Sequence, residues 1–405
     1  MYRQRNTRPY GGRRNPRFSG RGQGRATVRT FDPSSIIASL KENRSRMDAP
    51  SNGESISKEY EVKNKFSDFA VVDRLKDAIL RRGYDIPTPI QDQTIPHILN
   101  GRDVVGIANT GTGKTAAFLI PLINKVLKNG NSRTLIIAPT RELAVQIESE
   151  LKLLSEGLGI SSVICIGGVS IRPQINRLSQ KPKFVIGTPG RLLDLANQRK
   201  LDFSRFESIV LDEVDRMLDM GFITDIDKII SSLPRVRQSL FFSATLDPKV
   251  QNVMGKFIVN PVMISVKTAD TSGNVEQDII ELRGRNKTDV LCDLLDQKEV
   301  TKTLIFTRTK RGADRLHKDL SRINFQVGVL HGNKSQNQRQ RALTAFKKGE
   351  LNVLIATDVA SRGIDVRDIT HVINHDLPES YDAYIHRIGR TGRADKKGVA
   401  LTFVG

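Results

Sequence analysis

A glycine-rich run and an acidic run in this chain have the residue types needed to bind phosphate and a divalent cation. The first run is Ala-Asn-Thr-Gly-Thr-Gly-Lys-Thr at residues 108–115, and the second is Asp-Glu-Val-Asp at residues 212–215. Glycine lets backbone N–H groups turn toward a phosphate, and a helix beginning near Lys114 would direct its positive end at the same place. The first run therefore predicts a phosphate-binding loop, with Ala108 at the position where the usual pattern has its first glycine.

The two runs together predict a site for a nucleoside triphosphate and Mg²⁺. Lys114 is expected to reach the β- and γ-phosphates, and the Thr115 hydroxyl is expected to ligate Mg²⁺. Asp212 is expected to hold the same ion through water, while Glu213 polarises the attacking water. A chance Gly/Thr-rich turn and a solvated acidic turn are the alternatives, and the apolar run before each motif argues against them.

Two sets of alternating strand and helix patterns supply the elements that would position these runs. From about residue 61 to residue 266, apolar runs predict strands at 103–107, 134–138, 163–166, 184–187, 209–212 and 240–243. From about residue 276 to residue 405, they predict strands at 304–307, 327–330, 353–357, 371–374 and 399–403. The pattern predicts an α/β protein with two tandem RecA-like domains, each a parallel sheet flanked by helices. Small and polar residues at 267–275 predict a flexible linker between the domains.

The charge of the chain favours a polyanionic partner. Its 405 residues carry a net charge of +20, with a pI near 10.0. Such an excess favours nucleic acid over a membrane surface. The sequence has neither an apolar run of roughly 18 residues nor a secretory signal pattern, so we expect a cytoplasmic protein without a membrane span. Cys165 and Cys292 lie in apolar stretches, which predicts buried thiols and not a disulfide or a zinc site.

Residues 1–60 have the composition of a tail and linker. Nine Arg and no acidic residue occur in residues 1–30, interleaved with Gly, Asn, Pro and aromatic residues. Such a segment cannot form a core and is predicted to be disordered. Because Arg and aromatic side chains suit phosphates and stacked bases, the tail is expected to add affinity for nucleic acid, and a plain flexible spacer is the alternative.

The ordered series of motifs over residues 66–405 resembles the DEAD-box family of RNA helicases. The matching motifs are Tyr84 with Pro87-Thr88-Pro89-Ile90-Gln91, the glycine-rich run, Pro139-Thr140-Arg141-Glu142-Leu143-Ala144, Gly167-Gly168, Thr188-Pro189-Gly190-Arg191, the acidic run, Ser243-Ala244-Thr245, Ala356–Asp365 and His386–Arg393. The resemblance implies an RNA-dependent ATPase that separates short RNA duplexes locally or remodels RNA–protein complexes. An ATP-gated RNA clamp, which has the same motifs, and a DNA helicase or translocase, against which the family motifs argue, are the alternatives.

The resemblance implies that the nucleotide is ATP. Gln91 would bond to the adenine edge and so select ATP over GTP, and Tyr84 would stack on the base. Arg390 and Arg393 resemble arginine fingers that reach from the second domain to the γ-phosphate, and their spacing predicts one shared helical face. The residues expected to bind the nucleotide are Phe66, Tyr84, Gln91, Thr110, Gly111, Thr112, Gly113, Lys114, Thr115 and Asp365.

The resemblance also implies coupling residues and an RNA-binding surface. The hydroxyls of Ser243 and Thr245 would bond to the acidic run that ends at Asp215, and Val214 stands where the family has Ala, without loss of the expected activity. RNA would be held by its backbone, so binding should tolerate different sequences, and 2′-OH contacts would favour RNA over DNA. Ribonucleoprotein or ribosome-assembly partners are compatible with this function. The residues expected to contact RNA are Pro139, Thr140, Arg141, Gly167, Gly168, Thr188, Pro189, Gly190, Arg191, Gly332, Gln336, Arg339, Thr357 and Asp358.

Overall fold

The computed structural model describes residues 60–109, 111–266, 274–361, 366, 368–392 and 396–405. The predicted tail, apart from Tyr60, and residues 267–273 of the predicted linker lie outside these ranges. Three predicted site residues, Thr110, Asp365 and Arg393, also lie outside the described residues. Among the residues that the structure describes, none of the helices is both long and apolar enough to span a membrane.

The first domain is built on a sheet of seven parallel strands in the order β3-β4-β2-β5-β6-β1-β7. Its strands are β1 (Val104–Ala108), β2 (Thr134–Ile137), β3 (Ser162–Cys165), β4 (Phe184–Gly187), β5 (Ser208–Leu211), β6 (Gln238–Ser243) and β7 (Val262–Val266). Alternate residues of one strand pack into different cores, since Val104 lies in one apolar cluster and Val105 in the other. Both faces of the sheet are therefore covered by helices, as the continuous apolar strands predicted.

The second domain has a sheet of six parallel strands in the order β10-β11-β9-β12-β13-β8. Its strands are β8 (Val275–Glu281), β9 (Thr303–Phe306), β10 (Val327–Leu330), β11 (Val353–Ala356), β12 (His371–Asn374) and β13 (Gly398–Val404). Two apolar clusters again cover the two faces, with Ile355 in one and Leu354 in the other. The predicted α/β architecture of two parallel sheets with flanking helices is confirmed.

The helices lie between the strands in chain order. In the first domain they are α1 (Asp73–Arg81), α2 (Pro89–Leu99), α3 (Lys114–Lys128), α4 (Arg141–Leu154), α5 (Arg172–Ser179), α6 (Pro189–Asn197), α7 (Val214–Asp219), α8 (Ile223–Ser231) and α9 (Pro248–Phe257). In the second they are α10 (Lys287–Leu295), α11 (Lys310–Arg322), α12 (Gln336–Lys348), α13 (Asp358–Ser361) and α14 (Tyr381–Ile388). Short 3₁₀ helices occupy Phe66–Asp68 and Phe203–Arg205.

The edge strands β7 and β8 were not predicted from the sequence. Their residues are mostly half-buried or exposed, and Met263 in β7 remains 47% exposed. Such residues do not form the continuous apolar run by which a buried parallel strand is recognised, whereas the more buried edge strands β3 and β10 were predicted. Val275, placed in the linker by the sequence analysis, is the first residue of β8.

The strand order of the first sheet groups the sequence motifs into two neighbouring sets. Because all strands are parallel, their carboxyl ends meet at one edge of the sheet, where ligands of such sheets bind. The adjacent strands β5, β6 and β1 lead into the acidic run, Ser243-Ala244-Thr245 and the glycine-rich loop. The adjacent strands β3, β4 and β2 lead into the loops at 167–168, 188–191 and 139–141.

Candidate functional site

The glycine-rich loop closes on its own backbone between β1 and α3. Gly111 and Gly113 have φ angles of +88° and +92°, in the left-handed region that favours glycine. The ammonium group of Lys114, which is buried, donates to the Ala108 carbonyl at 2.7 Å, and Thr112 Oγ1 donates to the Asn109 carbonyl at 2.8 Å. The loop thus forms a cradle at the N-terminus of α3, where backbone N–H groups suit a phosphate.

Gln91, in the first turn of α2, links the glycine-rich loop to Thr88, the residue before α2. Its Nε2 donates to the Gly113 carbonyl at 3.0 Å, and its Oε1 accepts from Thr88 N–H at 2.9 Å. A Cβ at residue 113 would lie 2.4 Å from Gln91 Nε2, so only glycine permits this approach. The structure therefore brings Gln91 against the phosphate-binding loop, as its predicted role in nucleotide binding requires.

The two predicted aromatic contacts of the base have different environments. Tyr84 is half-buried, and its hydroxyl donates to Glu150 Oε1 at 2.6 Å. Phe66 is only 1% exposed and meets the rings of Phe69 and Tyr84 edge to face, at centroid distances of 5.6 and 5.3 Å. Phe66 is thus a core residue that supports the ring of Tyr84, and its own faces are covered by protein.

Asp212 follows β5 and is only 2% exposed. Its Oδ1 has no hydrogen-bond partner among the residues that the structure describes. The pKa of Asp212 is raised above its usual value, chiefly by burial. The neighbouring charges of Glu213 and Asp215 also raise this pKa, whereas the charge of Lys114 lowers it. A buried, unpaired carboxylate oxygen beside the phosphate-binding loop is chemically suited to a cation.

Glu213 lies at the tight turn between β5 and α7. Its φ angle of +53° is unusual for a residue other than glycine, and it is the N-cap of α7. The carboxylate forms an ion pair with Arg216 three residues on, and both side chains are almost fully buried. Val214 between the carboxylates is completely buried in the core of the first domain, so the extra methyl groups relative to Ala are accommodated there.

Asp215 connects the acidic run with the end of β6. Its Oδ2 accepts from the backbone N–H of Ala244 at 3.0 Å and of Thr245 at 3.2 Å. The Thr245 hydroxyl reaches the same oxygen at 3.5 Å, and Ser243 Oγ accepts from the Asp215 N–H at 3.4 Å. The predicted contact between the two motifs is present, and backbone N–H groups form its shortest bonds.

The predicted RNA-binding residues of the first domain form one group of interlocking loops. The guanidinium of Arg141 lies over Gly168, where a Cβ would be only 1.9 Å from Arg141 Nη1. Thr140 caps α4 by accepting from Leu143 N–H at 3.2 Å, and Arg191 donates to the Val169 carbonyl at 3.3 Å. Gly190 is exposed, Thr188 caps α6 at its N-terminus, and Pro139 and Pro189 are buried. The guanidinium thus occupies the space that a side chain at residue 168 would fill, whereas a Cβ at Gly167 would lie at an ordinary contact distance of 3.5 Å from it.

Two of the predicted RNA-binding residues of the second domain contact the first domain. Gln336 Nε2 and Arg339 Nη2 reach the same oxygen, Glu142 Oε1, at 3.1 and 3.0 Å. The side chains of Arg339 and Glu142 are only 10% and 4% exposed. Gln336 Oε1 and Arg339 Nε have no hydrogen-bond partner within the described part of the chain. These two residues therefore join the domains, with one buried polar atom of each left unpaired within the described residues.

The other second-domain residues of this set do not form a single surface. Gly332 is exposed beside Lys310, whereas Thr357 is buried at the end of β11. Both carboxylate oxygens of Asp358 accept from Arg387, at 2.6 and 2.7 Å. This pair engages both carboxylate oxygens of Asp358. The side chain is also poorly suited to contact a phosphate, because both groups are negatively charged. The pair therefore fixes the beginning of α13 to α14.

Arg390 does not lie on the helical face that its spacing from Arg393 predicted. Helix α14 ends at Ile388 with Gly389 as its C-cap, so Arg390 lies beyond the helix. Its Nε donates back to the His386 carbonyl at 3.2 Å, and the residue is 4% exposed. The prediction of a shared helical face is wrong for Arg390, because glycine ends the helix before it.

Comparison with known proteins gives the family. A DEAD/DEAH box helicase model matches residues 88–253, and a helicase conserved C-terminal domain model matches residues 286–395. The ATP-dependent RNA helicase CshA of Limosilactobacillus reuteri is 44% identical over 342 residues, which are 84% of this chain and 69% of that protein. The DEAD-box ATP-dependent RNA helicase CshA of Bacillus licheniformis is 44% identical over 341 residues, 84% of this chain and 70% of that protein. The chain belongs to the DEAD-box family of ATP-dependent RNA helicases.

Solved DEAD-box structures share the fold of this helicase. Dbp5 of S. cerevisiae bound to RNA and ADP BeF3 is 30% identical, with a TM-score of 0.74 over 84% of this chain and 90% of that one. The DEAD-box helicase Mss116 bound to ssRNA and UDP-BeF is 29% identical, with a TM-score of 0.76 over 84% of this chain and 75% of that one. The two parallel sheets of this DEAD-box helicase are therefore RecA-like domains.

Sequence reasoning about this DEAD-box helicase missed Arg387 and Arg216. Arg387 is 2% exposed, and besides Asp358 it donates to Asn374 Oδ1 at 3.1 Å and to the Asp376 carbonyl at 2.6 Å. Its guanidinium also lies 5.0 Å from the ring centroid of Phe306. Arg387 stands inside the His386–Arg393 motif, so its motif membership was the available signal. Arg216 is three residues from Glu213, and a helical spacing beside an acidic run was the corresponding signal.

Proposed function

We propose that this DEAD-box helicase binds and hydrolyses ATP at the strand ends of its first domain and couples turnover to the binding and local unwinding of RNA. The observation that carries the proposal is the contact of Gln336 and Arg339 with Glu142. Glu142 belongs to the Pro139–Ala144 motif, whose loop leads from β2 into the group of predicted RNA-binding loops. The contact therefore links closure of the two domains to the surface at which RNA would bind.

The nucleotide would occupy the cradle formed by residues 111–115, and Thr110 would be a further contact. Lys114 would exchange the Ala108 carbonyl for phosphate oxygens, a change of partner that leaves its ammonium group hydrogen-bonded. Gln91 and Tyr84 would contact the base, and Asp365 the ribose. The position of Gln91 against Gly113 supports this assignment, because one side chain then touches both the base and the phosphate-binding loop.

Thr115 and Asp212 are the residues that would hold Mg²⁺, and the partnerless Oδ1 of Asp212 supports this role. The described residues contain no cluster of three or more His, Cys, Asp or Glu side chains that could bind a metal by themselves. Phosphate oxygens and water would therefore complete the coordination, as is usual for magnesium. When bound, the ion would neutralise negative charge on the phosphates.

Glu213 would accept a hydrogen bond from the attacking water. Arg216 contacts its Oε2, so Oε1 is the oxygen available for water. Arg390 and Arg393 would meet the charge that develops on the γ-phosphate. Since Arg390 is buried against the His386 carbonyl, its side chain would have to turn outward for this role. Hydrolysis would thus require a rearrangement in the second domain.

RNA would lie along the strand-end loops of both domains and be held by its backbone. The contacting residues proposed are those of the 139–141, 167–168 and 188–191 loops with Gly332, Gln336, Arg339 and Thr357, while Asp358 would act through its pair with Arg387. The unpaired Gln336 Oε1 and Arg339 Nε support a further ligand at the interdomain contact, because buried polar atoms without partners are costly. The Arg-rich residues 1–30 would add affinity without sequence preference. Ribonucleoprotein partners and a cytoplasmic location remain parts of the proposal.

The deciding experiment is ATP hydrolysis measured with no nucleic acid, with single-stranded RNA and with single-stranded DNA of the same sequence. Stimulation by RNA alone, together with ATP-dependent displacement of a short RNA strand, is the expected result. Equal stimulation by DNA would favour a DNA helicase or translocase. RNA-stimulated hydrolysis without strand displacement would favour an ATP-gated clamp.

A further inference from the structure

Asp92, the residue after Gln91 in α2, is a buried carboxylate whose partners all come from one short segment. It is 3% exposed. Its Oδ2 accepts from the Tyr60 hydroxyl and the Lys63 N–H, both at 2.8 Å. Its Oδ1 accepts from the Asn64 N–H at 3.2 Å and from Asn64 Nδ2 at 2.6 Å. We name residues 60–66 the strap, since they are tied to α2 through this single side chain.

Hydrogen bonds from the strap stabilise the buried carboxylate of Asp92 in the folded protein. A buried charged group is costly unless it is hydrogen-bonded, and these four donors offset that cost. Burial raises the pKa of Asp92, but the hydrogen bonds from Lys63, Asn64 and Tyr60 outweigh it and lower the pKa. Burial and the bond to Asp92 raise the pKa of Tyr60 to about 12, so the phenol keeps its proton and remains a donor.

The C-terminal end of the strap, at Phe66, contacts Tyr84, the second residue that is predicted to contact the base. Phe66 N–H donates to the Asp85 carbonyl at 3.0 Å, which fixes the strap to the loop that carries Tyr84. The ring of Phe66 supports the ring of Tyr84 edge to face at 5.3 Å. One continuous segment of the chain therefore contacts the helix that presents Gln91 and the ring of Tyr84.

We propose that Asp92 is a positioning residue for nucleotide binding, which anchors the strap so that Gln91 and Tyr84 are held in place for the base. The inference rests on the proposed function, in which these two side chains recognise adenine. Asp92 would not touch the nucleotide and would act only through the strap. Its loss should therefore weaken nucleotide binding, while the chemical step, which uses Lys114 and Glu213, keeps its rate in the saturated enzyme.

The test is a set of variants of the full chain, assayed for RNA-stimulated kcat, the KM for ATP, and melting temperature. Asp92→Asn removes the charge and leaves backbone donors of the strap unpaired, so it should raise the KM for ATP about tenfold with kcat nearly unchanged. Tyr60→Phe removes one of the four bonds and should raise the KM about threefold. Thr94→Val is the matched control, because the hydroxyl of buried Thr94 donates to the Ile90 carbonyl at 2.7 Å, a bond that lies within the same helix.

The outcomes separate positioning from stability. If the proposal holds, Thr94→Val lowers the melting temperature but leaves the KM for ATP unchanged, whereas the two strap variants raise it. Strap variants that lose melting temperature and keep the wild-type KM would show that Asp92 has only a structural role and overturn the proposal. If Asp92→Asn does not fold, the milder Tyr60→Phe decides. Gln91→Ala tests the proposed function separately, since unchanged preference for ATP over GTP in that variant would remove Gln91 from base recognition.

Discussion

The interdomain contact at Glu142 leads to a quantitative prediction about Glu142→Gln. In the structure one carboxylate oxygen accepts from both Gln336 and Arg339, at 3.1 and 3.0 Å, and the charged side chains are 4% and 10% exposed. The substitution keeps the shape of the side chain but leaves the Arg339 charge without a buried counter-charge. Removing one partner of a buried pair costs about 3 to 5 kcal/mol, and the amide oxygen can recover about 1 kcal/mol as a neutral acceptor.

The expected cost is therefore about 2 to 4 kcal/mol, or roughly 30- to 1,000-fold in the equilibrium that forms the contact. Because the contact joins two domains, each of which has its own core, the cost should appear as poorer domain closure. RNA-stimulated kcat/KM should fall by about two orders of magnitude. The slow hydrolysis measured without RNA and the melting temperature should change little, since neither requires this contact.

A double-mutant cycle with Arg339→Met tests this reasoning in the same ATPase assay. The double variant should be less impaired than the sum of the two single variants predicts, because it contains no unpaired charge at the contact. Glu148→Gln is the control in the same helix, since the partners of this buried carboxylate, Ser162 and Lys152, both lie in the first domain. Wild-type RNA stimulation in Glu142→Gln, or strict additivity in the cycle, would show that the contact is absent from the active arrangement.

Three further variants test other parts of the molecule. Glu213→Gln should bind ATP and RNA but lower turnover about 10²- to 10⁴-fold in a single-turnover assay, and a wild-type rate would assign water activation to another residue. Val214→Ala leaves a cavity at a fully buried position; it should cost about 2 kcal/mol, visible as a melting temperature several degrees lower, with ATPase activity retained. Deleting residues 1–30 removes nine Arg, so RNA affinity should fall and its salt dependence should become shallower; an unchanged slope would make the tail a spacer.

Most strands could be predicted because they form continuous apolar runs, as buried parallel strands do. Eleven strands were predicted, and each is present with ends that differ by at most two residues. Strands β7 and β8 were missed, since half-exposed residues do not produce a continuous apolar run, whereas the edge strands β3 and β10 are more buried and were predicted. An apolar run is a local property of the sequence, whereas the position of a strand without such a run depends on which strand it pairs with.

The motif residues of the first domain were predictable for a related reason. Asp212 and Glu213 follow β5, Ser243 ends β6, and Lys114 begins the helix after β1. Because these strands are parallel, the fold alone brings the four residues to one edge of the sheet. What the motifs did not reveal is which side chains face each other. Phe66 is chemically able to stack on a base, but the strap directs it into the core against Tyr84.

The interdomain contact of Glu142 could not be predicted from the local sequence pattern. It lies in the first turn of α4, where an acidic residue is favoured by the helix N-terminus whatever its partners are. Its position therefore has a sufficient local explanation, and nothing in the neighbouring sequence indicates a partner 194 residues away at Gln336. The same holds for Gln336 and Arg339, which are three positions apart on α12 and share a face that suits RNA and Glu142 equally well. Assigning these two residues to one partner requires the packing of the domains, and in this structure that packing directs one polar group of each to Glu142 and leaves another without a partner among the described residues.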